Sequence, residues 1–149
     1  MTSRPPGNTP ATRLVYIGGT GRSGSTMLAN VLGELDGLVS AGEVRFLWER
    51  GILQNRLCGC GEPFAECGFW SAVVDLALGP ASTQSRRELA TRMHGELLDR
   101  TRLRTLPGHL RSRQDAPDEL TAVLSDLYAA IATGSGASAV VDSSKLPTY

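Results

Sequence analysis

A single lysine, Lys145, stands among the 15 basic residues of this 149-residue chain, and the other fourteen are arginines. Charge of one sign is missing too. The 15 basic side chains are balanced by 15 acidic ones, so nothing in the composition favours polyanion binding and no nucleic-acid partner is expected. No apolar run approaches the roughly 20 residues that span a bilayer. The polar start, with Pro5, Pro6 and Pro10, has no apolar stretch of the secretory kind. These absences argue against a membrane segment and predict a cytoplasmic protein with a disordered lead over residues 1–13. Only three cysteines are present, and a cytoplasmic setting opposes a disulfide between them. What remains, 41% hydrophobic residues in 149, is enough for one buried core.

The richest stretch is Tyr16-Ile17-Gly18-Gly19-Thr20-Gly21-Arg22-Ser23-Gly24-Ser25-Thr26-Met27-Leu28. A short apolar run, Leu14–Ile17, enters a glycine-rich turn and an apolar-periodic segment leaves it. Strand, loop and helix in that order present backbone N–H groups and a helix N-terminus to an anion. From Gly19 the spacing fits the phosphate loop G-x-x-x-x-G-K-[ST], with Ser25 in place of the lysine. Without that lysine, which neutralises charge between the β- and γ-phosphates, nucleotide hydrolysis loses its main support. Gly19, Gly21 and Gly24 also fit the dinucleotide fingerprint, for which Glu43 is the candidate ribose ligand. A glycine turn that only packs is the third alternative. Arg22 offers a planar, permanently charged fork suited to phosphate or sulfate oxygens, and Ser25 and Thr26 add hydroxyl donors.

The spacing further predicts a helix from Ser25 to about Leu35, then a turn and short apolar run over Gly37–Leu47. A cysteine- and aromatic-rich loop follows over 57–70, and a short helix runs toward Leu78. Leu89, Met93 and Leu97 predict a long helix from Ser85 to about Leu103, whose arginines and glutamates form a solvated face. Thr105–Arg113 reads as a surface loop. Pro117 opens a helix with Leu120, Val123, Leu124, Leu127, Tyr128 and Ile131 on one face, ended by Gly134 and Gly136. Ala139-Val140-Val141 is the second convincing strand. Two strands are few for a wound sheet, so the chain reads as the front part of a larger α/β domain over 14–149, with a helical insertion over 84–133.

Two further segments carry chemistry. Asp142-Ser143-Ser144-Lys145 delivers a carboxylate, two hydroxyls and the lone lysine to the end of a strand, where α/β sheets bind ligands. The alternative is a strand-end turn in which Asp142 or Ser143 caps a helix. Cys58-Gly59-Cys60-Gly61 with Cys67 invites a zinc reading. Against it, a fourth ligand is lacking, the C-x-C spacing is unusual, and His94 and His109 are distant. A loop packed by Phe64, Phe69 and Trp70 accounts for the same residues.

Arg22-Ser23-Gly24-Ser25-Thr26 after a strand resembles the 5′-phosphosulfate loop of sulfotransferases that use 3′-phosphoadenosine-5′-phosphosulfate (PAPS). The Cys-Gly-Cys-Gly-x-x-Phe-x-Glu-Cys-x-Phe-Trp pattern and the Asp-Ser-Ser-Lys segment are similar to stretches of bacterial members of that family. The resemblance covers Leu14–Trp70 and Ala139–Tyr149. It implies a three-layer, phosphate-loop-like α/β fold with a parallel sheet, here cut off after the second core strand. It further implies transfer of a sulfuryl group from PAPS to a hydroxyl or amine of a small-molecule, carbohydrate or peptide acceptor, with no metal. Gly21, Arg22, Ser23, Gly24, Ser25 and Thr26 would hold the phosphosulfate, and Lys145 with Arg22 would stabilise the leaving oxygen. Ala41-Gly42-Glu43 resembles the Gly-Glu stretch of tyrosylprotein sulfotransferases, which makes Glu43 the candidate base, although Val44 stands where that family has a second glutamate. The Arg-Asp-Pro-type segment that grips the 3′-phosphate is not in the sequence, so the piece alone is expected to be inactive. An NAD(P)-binding reductase-like protein and a noncatalytic partner-binding remnant are the alternatives.

Overall fold

The computed structural model describes residues 12–101 and 118–145. The expectations for the leading residues, for the 105–113 loop, for Pro117 and for residues 146–149 lie outside them. Three strands form one parallel sheet: β1 (Arg13–Gly18), β2 (Leu38–Gly42) and β3 (Ala139–Lys145), in the order β1-β3-β2. Strand β1 begins at Arg13, inside the stretch read as a lead. The short run after Gly37 is a complete third strand, so the two-strand expectation is corrected. Its five residues are half-buried and bounded by glycines at positive φ, and they pair with β3 from Leu38↔Ala139 onward.

Strand β3 is also longer than its apolar run. Asp142, Ser143 and Ser144 continue it and are as buried as the valines before them. Side chains alternate across a sheet, and Ser40 is paired with Val141 while Val39 is paired with Val140. Helix α1 (Ser25–Gly33) lies on the Ser40 and Val141 face, where Gly33 approaches Ser40. The other face, with Val39, Ala41 and Val140, joins the main core. That core gathers Val44, Leu47 and Trp48 from the turns after β2 and Val73 from α2 (Gly68–Leu78). Ala90, Met93 and Leu97 from α3 (Thr83–Thr101) and Leu120, Leu127, Tyr128 and Ile131 from α4 (Glu119–Ser135) complete it. Helices therefore cover both faces of a parallel sheet, the arrangement in which the central strand is buried throughout.

The two helix ends of α4 follow local rules. Asp118 accepts a hydrogen bond from the Thr121 N–H at 2.9 Å, and Gly136 closes the helix at φ 70°. The charged side of α3 departs from expectation, since its arginines bind other elements rather than water alone. Arg86 pairs with Asp75 of α2, Arg87 donates to the Leu53 carbonyl at 2.9 Å, and Arg92 reaches Glu119 of α4 at 2.9 Å. Guanidinium groups supply several donors on one long arm, so they clasp neighbours that hydrophobic periodicity does not reveal. Among the described residues, no helix is long and apolar enough to cross a membrane.

The contact between α1 and β2 leaves no room for a side chain at Gly33. A Cβ there would lie 2.8 Å from Ser40 Cβ and 3.0 Å from Ser40 N. Gly33→Ala is expected to destabilise the fold by about 1–3 kcal/mol through overpacking. Gly95→Ala, in α3 with nothing within 4 Å, is expected to stabilise it by roughly 0.5–1 kcal/mol. Urea denaturation of both variants tests this, and equal midpoints would refute the close approach.

Candidate functional site

The glycine loop joins β1 to α1 at the C-terminal edge of the sheet. Its bend needs left-handed backbone at Gly24, the residue before the helix, with φ 77°. No side chain caps the first turn of α1, so its N–H groups remain available to an anion. Ser25 is buried, whereas Arg22 and Ser23 on the loop and Thr26 in the first turn of α1 are exposed. Arg22 adopts φ 63°, an uncommon conformation for a residue with a side chain. The Gly19 N–H donates to the Lys145 carbonyl at 3.3 Å, which ties the loop to the end of β3.

Two of the candidate residues meet directly. Lys145 Nζ lies 2.5 Å from Glu43 Oε1, and Arg45 lies 3.5 Å from the other carboxylate oxygen. Glu43 follows β2 and Lys145 ends β3, so adjacent parallel strands deliver both to one edge. Arg22 is not part of this ion-pair cluster. Ser144 turns away from the glycine loop: its hydroxyl donates to Asp142 Oδ1 at 2.6 Å and accepts from the Arg45 N–H at 3.1 Å.

Asp142 is the centre of a network that the spacing of residues did not disclose. It caps no helix. Its Oδ1 accepts from the Val44 N–H at 3.3 Å and from the Ser144 N–H at 2.8 Å, and its Oδ2 accepts from the Tyr128 hydroxyl at 2.5 Å. The bonds to Val44 and to Ser144, which holds Arg45, fix the residues that follow Glu43. The sequence signal, visible only afterwards, is a carboxylate continuing an apolar strand and a tyrosine on an otherwise aliphatic helix face.

Next to Glu43 lies a cavity of about 150 Å³, walled by Val44, Phe46, Arg50, Arg56, Cys58 and Trp70. Phe46 is held by cations, with the Arg45 and Arg50 guanidinium carbons 4.0 and 3.5 Å from its ring centre. A π-helical turn over Leu47–Leu53 carries Arg50 to this wall. Beyond it, Phe64 stacks on Trp70 at 5.7 Å and Phe69 meets Trp70 edge-on at 5.3 Å. The sulfur atoms of Cys58, Cys60 and Cys67 lie within 4.8 Å of one another. The Trp70 N–H, in the first turn of α2, holds the Cys67 thiol below its ordinary value, while burial pushes the Cys58 thiol up. His94 is half-buried on α3, apart from this cluster, and His109 lies outside the described residues.

Comparisons with protein-family models, with curated proteins and with solved structures find no match for this chain. Its chemistry therefore rests on the geometry of its own residues.

Burial pushes the Asp142 carboxyl above its ordinary 3.8, while its four donors act in the opposite direction. The native state thus binds more protons than the unfolded chain between the ordinary and the raised value. The contribution of Asp142 is fully present below the ordinary value and is lost as pH rises through the raised one. The stability of the wild type relative to Asp142→Asn is expected to fall as pH rises above the ordinary carboxylate value of 3.8 and through the raised one. Urea titrations of both proteins across that range test the sign. A constant difference would remove the buried carboxylate as its source.

Proposed function

We propose that this chain binds the phosphosulfate end of PAPS and belongs to a sulfotransferase that acts on a hydroxyl or amine acceptor. The observation that carries the reading is the Lys145–Glu43 pair, joined through the Lys145 carbonyl to the glycine loop. An anion-binding loop, a cation and a carboxylate thereby share one sheet edge. The donor supplies the sulfuryl group, and the protein's part is to bind, orient and move a proton. Loop amides with Arg22, Ser25 and Thr26 fit the phosphate and sulfonate oxygens. Glu43 takes the acceptor's proton as the new oxygen–sulfur or nitrogen–sulfur bond forms and the bond to the bridging oxygen breaks. Lys145 and Arg22 offset the charge that collects on the bridging oxygen. The cavity beside Glu43 admits the reacting end of an acceptor.

Strand order weighs against the dinucleotide alternative. Doubly wound dinucleotide-binding sheets place the second strand beside the first, with its terminal carboxylate reaching the ribose. In this chain β3 lies between β1 and β2, and Glu43 faces Lys145 instead. Segments that would grip a 3′-phosphate are not among the described residues, so the reading concerns the phosphosulfate end alone.

Arg22→Gly separates binding from folding, since glycine adopts positive φ without strain. Calorimetric titration with 3′-phosphoadenosine-5′-phosphate is expected to show about tenfold to hundredfold weaker binding in the variant, the worth of one charge-assisted contact. Its melting temperature is expected to be unchanged or higher. Unaltered affinity would remove Arg22 from the site. Tighter binding of NADPH than of the bisphosphate by the wild type would favour the dinucleotide reading.

A further inference from the structure

We propose that Cys58, Cys60 and Cys67 bind a zinc ion through three thiolates and one non-protein donor, and that this ion staples the 57–67 loop to the start of α2. The site is structural. It is independent of the transfer chemistry and stands or falls without it.

The first observation is mutual proximity. All three sulfur atoms lie within 4.8 Å of one another, although Cys67 is seven residues beyond Cys60. A tetrahedral ion with zinc–sulfur bonds of about 2.3 Å holds its sulfurs roughly 3.8 Å apart, so a small contraction closes the site. A disulfide would need only two of these thiols and would leave the third unexplained.

The second observation is that, apart from Phe64 and Cys67, the loop buries little. Residues 54–57 and 59–62 are exposed, and Leu57 retains 73% of its accessible surface. Short loops of this kind rely on a covalent or metal staple rather than on apolar burial. The backbone already arranges two of the thiols. The Cys58 N–H donates to the Glu62 carbonyl at 2.8 Å, and the Gly61 N–H donates to the Cys58 carbonyl at 2.9 Å, forming a tight turn. Gly61 takes φ 92° within that turn. Cys67 is buried immediately before α2. One fixed buried thiol therefore faces a turn that presents two more.

The donor set selects the ion. Thiolates favour soft or borderline cations, and zinc accepts sulfur in a tetrahedral arrangement without redox change. Among the described residues no further histidine, cysteine or carboxylate joins the group, so water or another small donor completes the tetrahedron. As the three zinc–sulfur bonds form, the remaining thiol protons pass to solvent and no electron is transferred. The staple also has a consequence for the cavity, because Leu57, Cys58 and Gly59 form part of the wall that it shares with Glu43.

The test is titration of the reduced, chelator-treated full chain with Co²⁺ and then Zn²⁺. The expected result is a sulfur-to-cobalt charge-transfer band that saturates at one ion per chain, is displaced by Zn²⁺, and protects the thiols from alkylation. Cys60 is exposed, so Cys60→Ser is expected to retain the metal-free fold by circular dichroism while weakening Zn²⁺ binding about a hundredfold or more. Three freely alkylated thiols in the presence of Zn²⁺ would overturn the proposal. So would an intact mass lower by two hydrogens in protein purified without reductant, which identifies a disulfide, or undiminished Zn²⁺ affinity in Cys60→Ser.

Discussion

One buried carboxylate organises the edge of the sheet where the candidate residues meet. Asp142 sits on the central strand and accepts hydrogen bonds from its own strand, from the turn after β2 and from α4. Bonds to a charged group are worth roughly 1.5–3 kcal/mol each, whereas removing a carboxylate from water costs several kcal/mol. The upward displacement of its proton affinity shows that burial outweighs the donors. The network therefore contributes placement more than stability. Without the carboxylate, the Val44 N–H and the Tyr128 hydroxyl lose a shared acceptor, and the segment that follows Glu43 loses its anchor on β3.

This placement is why Glu43 meets Lys145. Both stand at the ends of parallel strands, but strand ends are the places where a backbone is least constrained. Val44 and Arg45 are fixed through Asp142 and Ser144, and Lys145 is fixed through its carbonyl to Gly19. The two charges are thus held from behind, by backbone bonds, while their side chains meet in front. Arg45 is the second partner of Glu43, and its stacking on Phe46 joins the same charges to the cavity wall.

Much of the frame was legible in the sequence, and particular residues show where legibility ended. The glycine loop between β1 and α1 and the amphipathic face of α4 could be read because each is a local pattern of a few residues. Strand β2 was underestimated because Ser40 and its bounding glycines make a five-residue run look like a turn. Strand β3 runs past its apolar residues because Asp142, Ser143 and Ser144, though polar, are buried, and nothing local in the sequence reveals the donors that meet them. Those donors and the partners of Lys145 lie far along the chain: Val44 is 98 residues from Asp142, Arg45 is 99 from Ser144, and Glu43 is 102 from Lys145. Periodicity reports which face of an element is covered, but not which polar atom waits on the other side. Ligands counted along the sequence argue against a metal site at the three cysteines, and only the turn at Gly61 and the start of α2 bring their sulfurs together.

Backbone strain gives an independent argument for where function resides. Among the described residues three non-glycine positions have positive φ: Arg22, Asn55 and Lys145. Asn55 has a local reason, since asparagine tolerates this region and its side-chain oxygen accepts the Ala65 N–H at 2.8 Å. Arg22 and Lys145 lack the intrinsic tolerance of asparagine for this region, although Lys145 pairs with Glu43, and each conformation costs on the order of 1 kcal/mol. Glycine at either position would relieve that cost. Both are cations, one on the glycine loop and the other at the strand end to which that loop is bonded. Both strained cations thus stand at the sheet edge where Glu43 meets Lys145.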